Sequence, residues 1–278
     1  MNLTTISEVR RPSSLADIDG WRDGYSWLAG GTWLFSEPQV AVDTLIDLDS
    51  LGWAPLTATE AGLDIAATCR VVQLHDFEAP TGWRAAPLFQ KCIDSFLMSF
   101  KIWNAATIGG NVCMSLPAGA MISLTSALEG VCTLWPRDGE PREVSVVDFV
   151  TGNHKNVLQK GELLRKIHLP AAALSKRAAM RQVSLTKFGR SAALIIATVG
   201  DHGVDFLLTV TAATPRPVQL RFAECPSAEE LRRALDVRLP PEAYFADVHG
   251  SAPYKRHITQ YLAEQIRRTP LTAAGKTD

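Results

Sequence analysis

The segment Asn104-Ala-Ala-Thr-Ile-Gly-Gly-Asn-Val112 carries two adjacent glycines between two stretches of helical periodicity. Gly109 and Gly110 have no Cβ, so another backbone or a ligand can come close to them. Asn111 can both donate and accept hydrogen bonds. We read Thr107 to Asn111 as a Gly-rich loop. Upstream, Pro87 to Phe100 places Leu88, Phe89, Cys92, Ile93, Phe96 and Leu97 at helical spacing. That spacing predicts one amphipathic helix with Pro87 near its first turn. Downstream, Pro117 to Gly130 also reads as helical.

A second glycine pair lies in Trp27-Leu-Ala-Gly-Gly-Thr-Trp33. It follows the short apolar segment Tyr25 to Ala29, a buried strand running into a tight turn. Successive amides left uncovered by side chains form a nest that suits a phosphate or pyrophosphate, and Thr32 adds a hydroxyl donor. Either segment alone is more often an ordinary turn. Two glycine pairs, each beside a threonine, make a two-sided nucleotide site more credible without identifying the nucleotide. Neither is the GxGxxG dinucleotide fingerprint, and no Walker-type GK[ST] occurs.

Further strands are expected at Asp43 to Leu48, Leu63 to Ala67, Val131 to Trp135, Glu143 to Val147 and Leu163 to Leu169. Beyond a connection from Ala171 to Arg177 come Gln182 to Lys187, the apolar run Ala192 to Val199 and a hairpin around Asp201-His202-Gly203. A strand from Val204 to Thr211 and a turn at Thr214 to Pro217 follow. Two helices, Ser227 to Asp236 and Ala252 to Arg268, close the pattern. Strands and helices mix without regular βαβ alternation, so the expected class is α+β. A boundary is placed near residues 170–178.

The chain has 278 residues, 46% hydrophobic and 21% charged, with a formal net charge of -1. That balance suits a soluble globular protein and gives no reason to expect nucleic acid or an anionic membrane as partner. The first fifteen residues lack the apolar stretch of a secretory signal, and no segment approaches a membrane span; the expected location is the cytoplasm. Five cysteines at irregular spacing, without a CxxC pair, argue against a disulfide framework and against zinc or iron–sulfur ligation. The six histidines form no ligand-spaced pair, and no metal site is expected.

Several motifs, in order along nearly the whole chain, resemble the FAD-binding or medium subunit of the xanthine dehydrogenase and carbon monoxide dehydrogenase family. The resemblance is carried by Ala29-Gly-Gly-Thr32, Asp47-Leu48, Ile65-Ala-Ala-Thr68 and the block from Trp103 to Ala120. Asp148-Phe-Val-Thr-Gly152, Gly161-Glu-Leu-Leu164, Lys187-Phe-Gly-Arg190 and Ser251-Ala-Pro-Tyr-Lys-Arg-His257 continue it. The chain departs from the family pattern at Trp33, Trp103 and Ala120.

The resemblance implies an FAD-binding domain of two α+β subdomains over residues 1–172. A smaller C-terminal domain, an antiparallel sheet with helices, would take 173–278. It implies FAD as cofactor, with Gly30, Gly31 and Thr32 on the pyrophosphate and Thr107, Gly109, Gly110 and Asn111 on the second side. Ala67, Leu163 and Leu164 would pack around the nucleotide, and Lys187 matches a basic position near the flavin. Trp27, Leu28, Ala29, Trp33, Gly119 and Ala120 complete the implied site. The function implied is an electron relay in a molybdenum hydroxylase, from iron–sulfur clusters on a partner subunit through FAD to NAD or another acceptor. A large molybdenum-cofactor subunit would hydroxylate the substrate, leaving no general acid or base on this chain. The alternative is a scaffold subunit of the same kind of complex that no longer holds flavin.

Overall fold

The computed structural model describes residues 3–18, 20–95, 98–187 and 189–269. Strands β1 (Glu8–Arg10), β2 (Tyr25–Leu28) and β3 (Thr44–Asp47) form a parallel sheet in the order β1-β3-β2. β4 (Leu56–Thr59) and β5 (Gly62–Ala66) begin a second sheet. Five helices follow: α1 (Val71–His75), α2 (Pro87–Asp94), α3 (Phe100–Trp103), α4 (Ile108–Met114) and α5 (Ala120–Ala127). β6 (Val131–Trp135) and β7 (Arg142–Ser145) return to that sheet, and α6 (Val146–Phe149) leads into a small hairpin of β8 (Val150–Gly152) and β9 (Lys155–Asn156). β10 (Leu163–Pro170) closes the second sheet at its centre, in the antiparallel order β4-β5-β10-β6-β7.

After the short α7 (Ala171–Leu174), four strands make an antiparallel sheet in sequence order. These are β11 (Arg177–Ser184), β12 (Ser191–Val199), β13 (Val204–Thr211) and β14 (Val218–Glu224). Helices α8 (Ala228–Arg238) and α9 (Ala252–Arg268) complete the chain. The class is α+β.

The continuous apolar run of β12 has a direct explanation, because all nine of its residues are buried. Ala193, Ile195, Ala197 and Val199 join a core with Leu231, Leu235, Leu262, Ala263 and Ile266 of α8 and α9. Leu194 and Ile196 face the other way, into a core that contains α5 and the second sheet. A strand covered on both faces has no polar side to alternate with. Helix α5 is likewise buried at every position. Two hydrogen bonds tie it across the contact: Ser123 Oγ lies 2.7 Å from Thr211 Oγ1, and Gln219 Nε2 donates to the Ser126 carbonyl at 2.7 Å.

Several expectations change. The helix expected from Pro87 to Phe100 ends at Asp94, and a new helical turn starts at Phe100 after Ser99; Phe96 and Leu97 lie outside the described residues. The expected Gly-rich loop from Thr107 to Asn111 is the start of α4. Thr107 is its N-cap and accepts a hydrogen bond from Gly110 N at 3.0 Å, which satisfies one of the orphan donors of the first turn. Two glycines disfavour a helix, but close packing around them overrides that preference here. The expected connection after Pro170 contains α7, and β4, β14 and the β8–β9 hairpin were not anticipated.

Candidate functional site

The first glycine pair sits where β2 leaves the parallel sheet. Leu28 is paired with Asp47, and the chain then turns at Gly31, whose φ is +68°. Phe35 N donates to the Gly31 carbonyl at 2.8 Å and Ser36 N to the Trp33 carbonyl at 2.8 Å. Residues 32–34 therefore start a single helical turn. Among the described residues, the amides of Gly30, Gly31, Thr32 and Trp33 donate to no protein acceptor. Unclaimed N–H groups at the start of such a turn carry partial positive charge and favour an anion.

The second glycine pair lies beside the first. A Cβ on Gly30 would stand 1.9 Å from the Ala105 carbonyl oxygen, so the first turn is packed against the chain that enters α4. Gly109 packs as tightly on Ala67, its imagined Cβ falling 2.5 Å from Ala67 Cα and 2.6 Å from the Ala67 oxygen. The amides of this second segment are all engaged. Ile108 N donates to Cys69 O at 2.8 Å, Gly109 N to Ala67 O at 3.1 Å and Asn111 N to Thr107 O at 3.0 Å. Gly110 N is held by Thr107 Oγ1. The two segments therefore differ in kind. The first presents free donors, whereas Gly109 is small so that two backbones can meet.

Between them lies a cavity of about 630 Å³, within the roughly 300–1,000 Å³ range of cofactor and small-molecule sites. Trp27, Leu28, Ala29, Gly30, Gly31, Thr32 and Trp33 line one part of it, with Ala67, Thr107, Gly109, Gly110, Asn111 and Gly119 along another. Leu163 and Leu164 of β10 also line it. Fifteen of the residues anticipated from sequence are thus brought to one cavity. Ala120 is buried at the first position of α5, adjacent to the lining residue Gly119 but not itself part of the lining. Lys187 lies on an exposed turn after β11, also outside the lining.

Polar groups around the cavity are mostly committed to holding its walls. Asn111 Oδ1 accepts from Met121 N at 3.2 Å and so anchors the start of α5. Trp27 Nε1 donates to the Glu162 carbonyl at 3.2 Å, joining β2 to the residue that precedes β10. The Trp33 ring lies 5.7 Å from that of His154 at a tilt of 48°. The β8–β9 hairpin that carries His154 is tied to the end of α4, with Asn156 Nδ2 donating to Cys113 O at 2.8 Å and His154 N to Ser115 O at 3.0 Å.

Several lining residues escaped the sequence reading. Glu162 is 3% exposed and is gripped by Arg142 through two hydrogen bonds of 2.7 Å. Burial pushes its carboxyl up, but the Arg142 guanidinium and the Gln159 amide outweigh this and hold it below the usual range. Its signal was present in Gly161-Glu-Leu-Leu164, where a charged residue precedes a buried strand. Arg190 and Ser191 reach the cavity from the start of β12. Cys113, Met98, Ile102 and Leu116 add apolar wall, and burial pushes the Cys113 thiol up to about 12, so it lines the cavity as a neutral group.

Comparison with known proteins agrees with this geometry. Residues 6–172 match the family model for the FAD-binding domain in molybdopterin dehydrogenase. No curated protein sequence matches the chain. Its fold is similar to a chain in quinoline 2-oxidoreductase from Pseudomonas putida 86 (TM-score 0.78, 18% identity, 98% of each chain covered). A chain of CO dehydrogenase from Oligotropha carboxidovorans is similar over 99% of this chain and 100% of that one, with a TM-score of 0.79 and 20% identity. The carbon monoxide dehydrogenase of Hydrogenophaga pseudoflava gives a TM-score of 0.76 at 18% identity, covering 96% and 97%.

Proposed function

Because the chain belongs to the family of FAD-binding domains of molybdopterin dehydrogenases, we propose that it is the flavin-carrying electron relay of a molybdenum hydroxylase complex. Its cofactor is FAD. Bound flavin supplies two-electron chemistry, receiving electrons from iron–sulfur clusters on a partner subunit and yielding them to NAD or another acceptor. The chain itself supplies binding, orientation and exclusion of water. The free amides from Gly30 to Trp33 hold the pyrophosphate, with Thr32 as a further donor. Asn111 steadies the opposite wall through α5, and Leu163 and Leu164 give an apolar surface that keeps water from the nucleotide.

The observation that carries this reading is the contrast between the two glycine segments at one cavity. The amides of four lining residues, Gly30 to Trp33, have no acceptor among the described residues, while every amide from Ile108 to Asn111 is already bonded. A row of half-buried donors without protein acceptors at a cavity wall is suited to an anionic ligand. Residues 1–172 form the FAD-binding domain and 173–278 the C-terminal domain. The oxidised substrate is handled by a large molybdenum-cofactor subunit and not by this chain. No helix among the described residues is long and apolar enough to cross a membrane, and the complex works in the cytoplasm.

Purified protein should show flavin absorbance near ~370 and ~450 nm and release FAD on heating. Co-expression with candidate iron–sulfur and molybdenum subunits should give a complex in which reduction of the clusters bleaches the 450 nm band. Colourless protein that takes up no added FAD would sink the reading. A flavoprotein that assembles with such subunits yet is never reduced by them would remove the relay and leave the binding.

A further inference from the structure

We infer that Arg190 faces the flavin end of the cofactor and balances the negative charge the ring gains on reduction, an inference that rests on FAD occupying the cavity. Among the described residues that line the cavity, Glu162 and Arg190 carry charge. The Glu162 carboxylate is fully engaged by Arg142 and by Gln159 N, at 2.7 to 2.9 Å. Arg190 is exposed, and among the described residues its guanidinium meets no hydrogen-bond or ion-pair partner. A cation at a ligand cavity with nothing in the protein to pair with is available to the ligand.

The chemistry of FAD decides which part it meets. The pyrophosphate carries the same charge in both redox states and already faces the amides that leave the parallel sheet at Gly30. Arg190 comes from a different sheet, at the head of β12. The adenine end stays neutral throughout. The oxidised ring is neutral, and two electrons with one proton make it an anion, so only that end acquires a charge needing a counterion. A guanidinium beside it favours the reduced state. The resemblance placed Lys187 at a basic position near the flavin, but among the described residues of Lys187-Phe-Gly-Arg190 it is Arg190 that reaches the lining.

The test compares full-length wild type, R190Q and R190K. Each is assayed for FAD content, for the dissociation constant of oxidised FAD, and for the flavin midpoint by dithionite titration against a reference dye. R190Q should lower the midpoint by about 30 mV, equal to tenfold weaker binding of reduced relative to oxidised flavin for a two-electron couple. R190K should keep the wild-type midpoint, and circular dichroism should confirm that all three chains fold. Equal weakening of both redox states, with the midpoint unmoved, would overturn the inference and assign Arg190 to the pyrophosphate. No change in either quantity would overturn it outright. A wild-type chain that takes up no FAD would instead remove the reading beneath it, so the two failures are distinct.

Discussion

Gly109 and Ala67 are in backbone contact: a Cβ on the glycine would stand 2.5 Å from Ala67 Cα. Gly109 N also donates to the Ala67 carbonyl at 3.1 Å, which fixes the start of α4 against the end of β5. Gly109→Ala should therefore act on folding before it acts on the ligand. Neither partner is a flexible side chain end, so the overpacking should cost about 3 kcal/mol. Thermal or urea unfolding of the FAD-free chain checks this; an unchanged midpoint would show that the contact gives way freely.

Gly31 provides the cleaner probe of the ligand side. Its φ of +68° strains any residue with a Cβ, and the nearest obstruction is the ring of Phe35, which is 44% exposed and free to move. Gly31→Ala should cost only about 1 kcal/mol in stability. Because the turn that aims the free amides is disturbed, FAD should bind about tenfold more weakly, the effect of losing roughly 1.4 kcal/mol of interaction. Equilibrium titration with FAD separates the two effects. Equal affinity in wild type and variant would mean that the amides of this turn do not hold the cofactor.

Thr107 caps α4 by accepting from Gly110 N at 3.0 Å. Thr107→Ala should destabilise the chain by about 1 kcal/mol, and Thr107→Ser should restore most of it. Denaturant midpoints at constant slope are the measurement. Rescue by valine instead of serine would show that the methyl group, not the hydroxyl, matters.

The Arg142–Glu162 pair makes the cavity wall sensitive to acid. Its carboxyl is held below the usual value of 4.5, so the pair contributes fully above about pH 4.5. That contribution is lost as pH falls through the lowered folded-state value. Glu162→Gln should reduce stability at pH 7 by about 1–2 kcal/mol, a figure discounted because the Arg142 side chain remains partly in water. It should also flatten the loss of stability below pH 4.5. Urea midpoints from pH 7 to pH 3 test both points, and parallel curves for the two proteins would exclude Glu162 as a contributor to acid lability.

Much of this architecture was legible because local and tertiary preferences coincide. The strand Val204–Thr211 and the helix Ala252–Arg268 match their expected limits. In the helix, Lys255, Thr259, Leu262, Ala263 and Ile266 form one buried stripe. The start of α4 was misread because Gly109 and Gly110 weigh against a helix locally, while the reason they are there, contact with Ala67 and the Thr107 cap, is invisible without the fold. The two-residue strand β9 and the partly exposed β4 and β14 gave too weak an apolar pattern to register. The cavity itself was foreseeable from its glycines. Glu162 and Arg190 each stand just before a buried strand, a signal that marks the position but not the role, since nothing in sequence places Arg142 across from one or leaves the other without an acceptor.

The complete burial of α5 carries a consequence for how this chain can be divided. The family match ends at residue 172, yet the core around α5 includes Leu194, Ile196 and Ala212 from the sheet beyond it. A fragment cut after Pro170 would present that greasy face to water, and the helix anchored by Asn111 would lose its floor. The segment that families share is thus smaller than the piece that must be made in one synthesis. Nucleotide capture at the front of the molecule depends on packing supplied by residues that never approach the ligand.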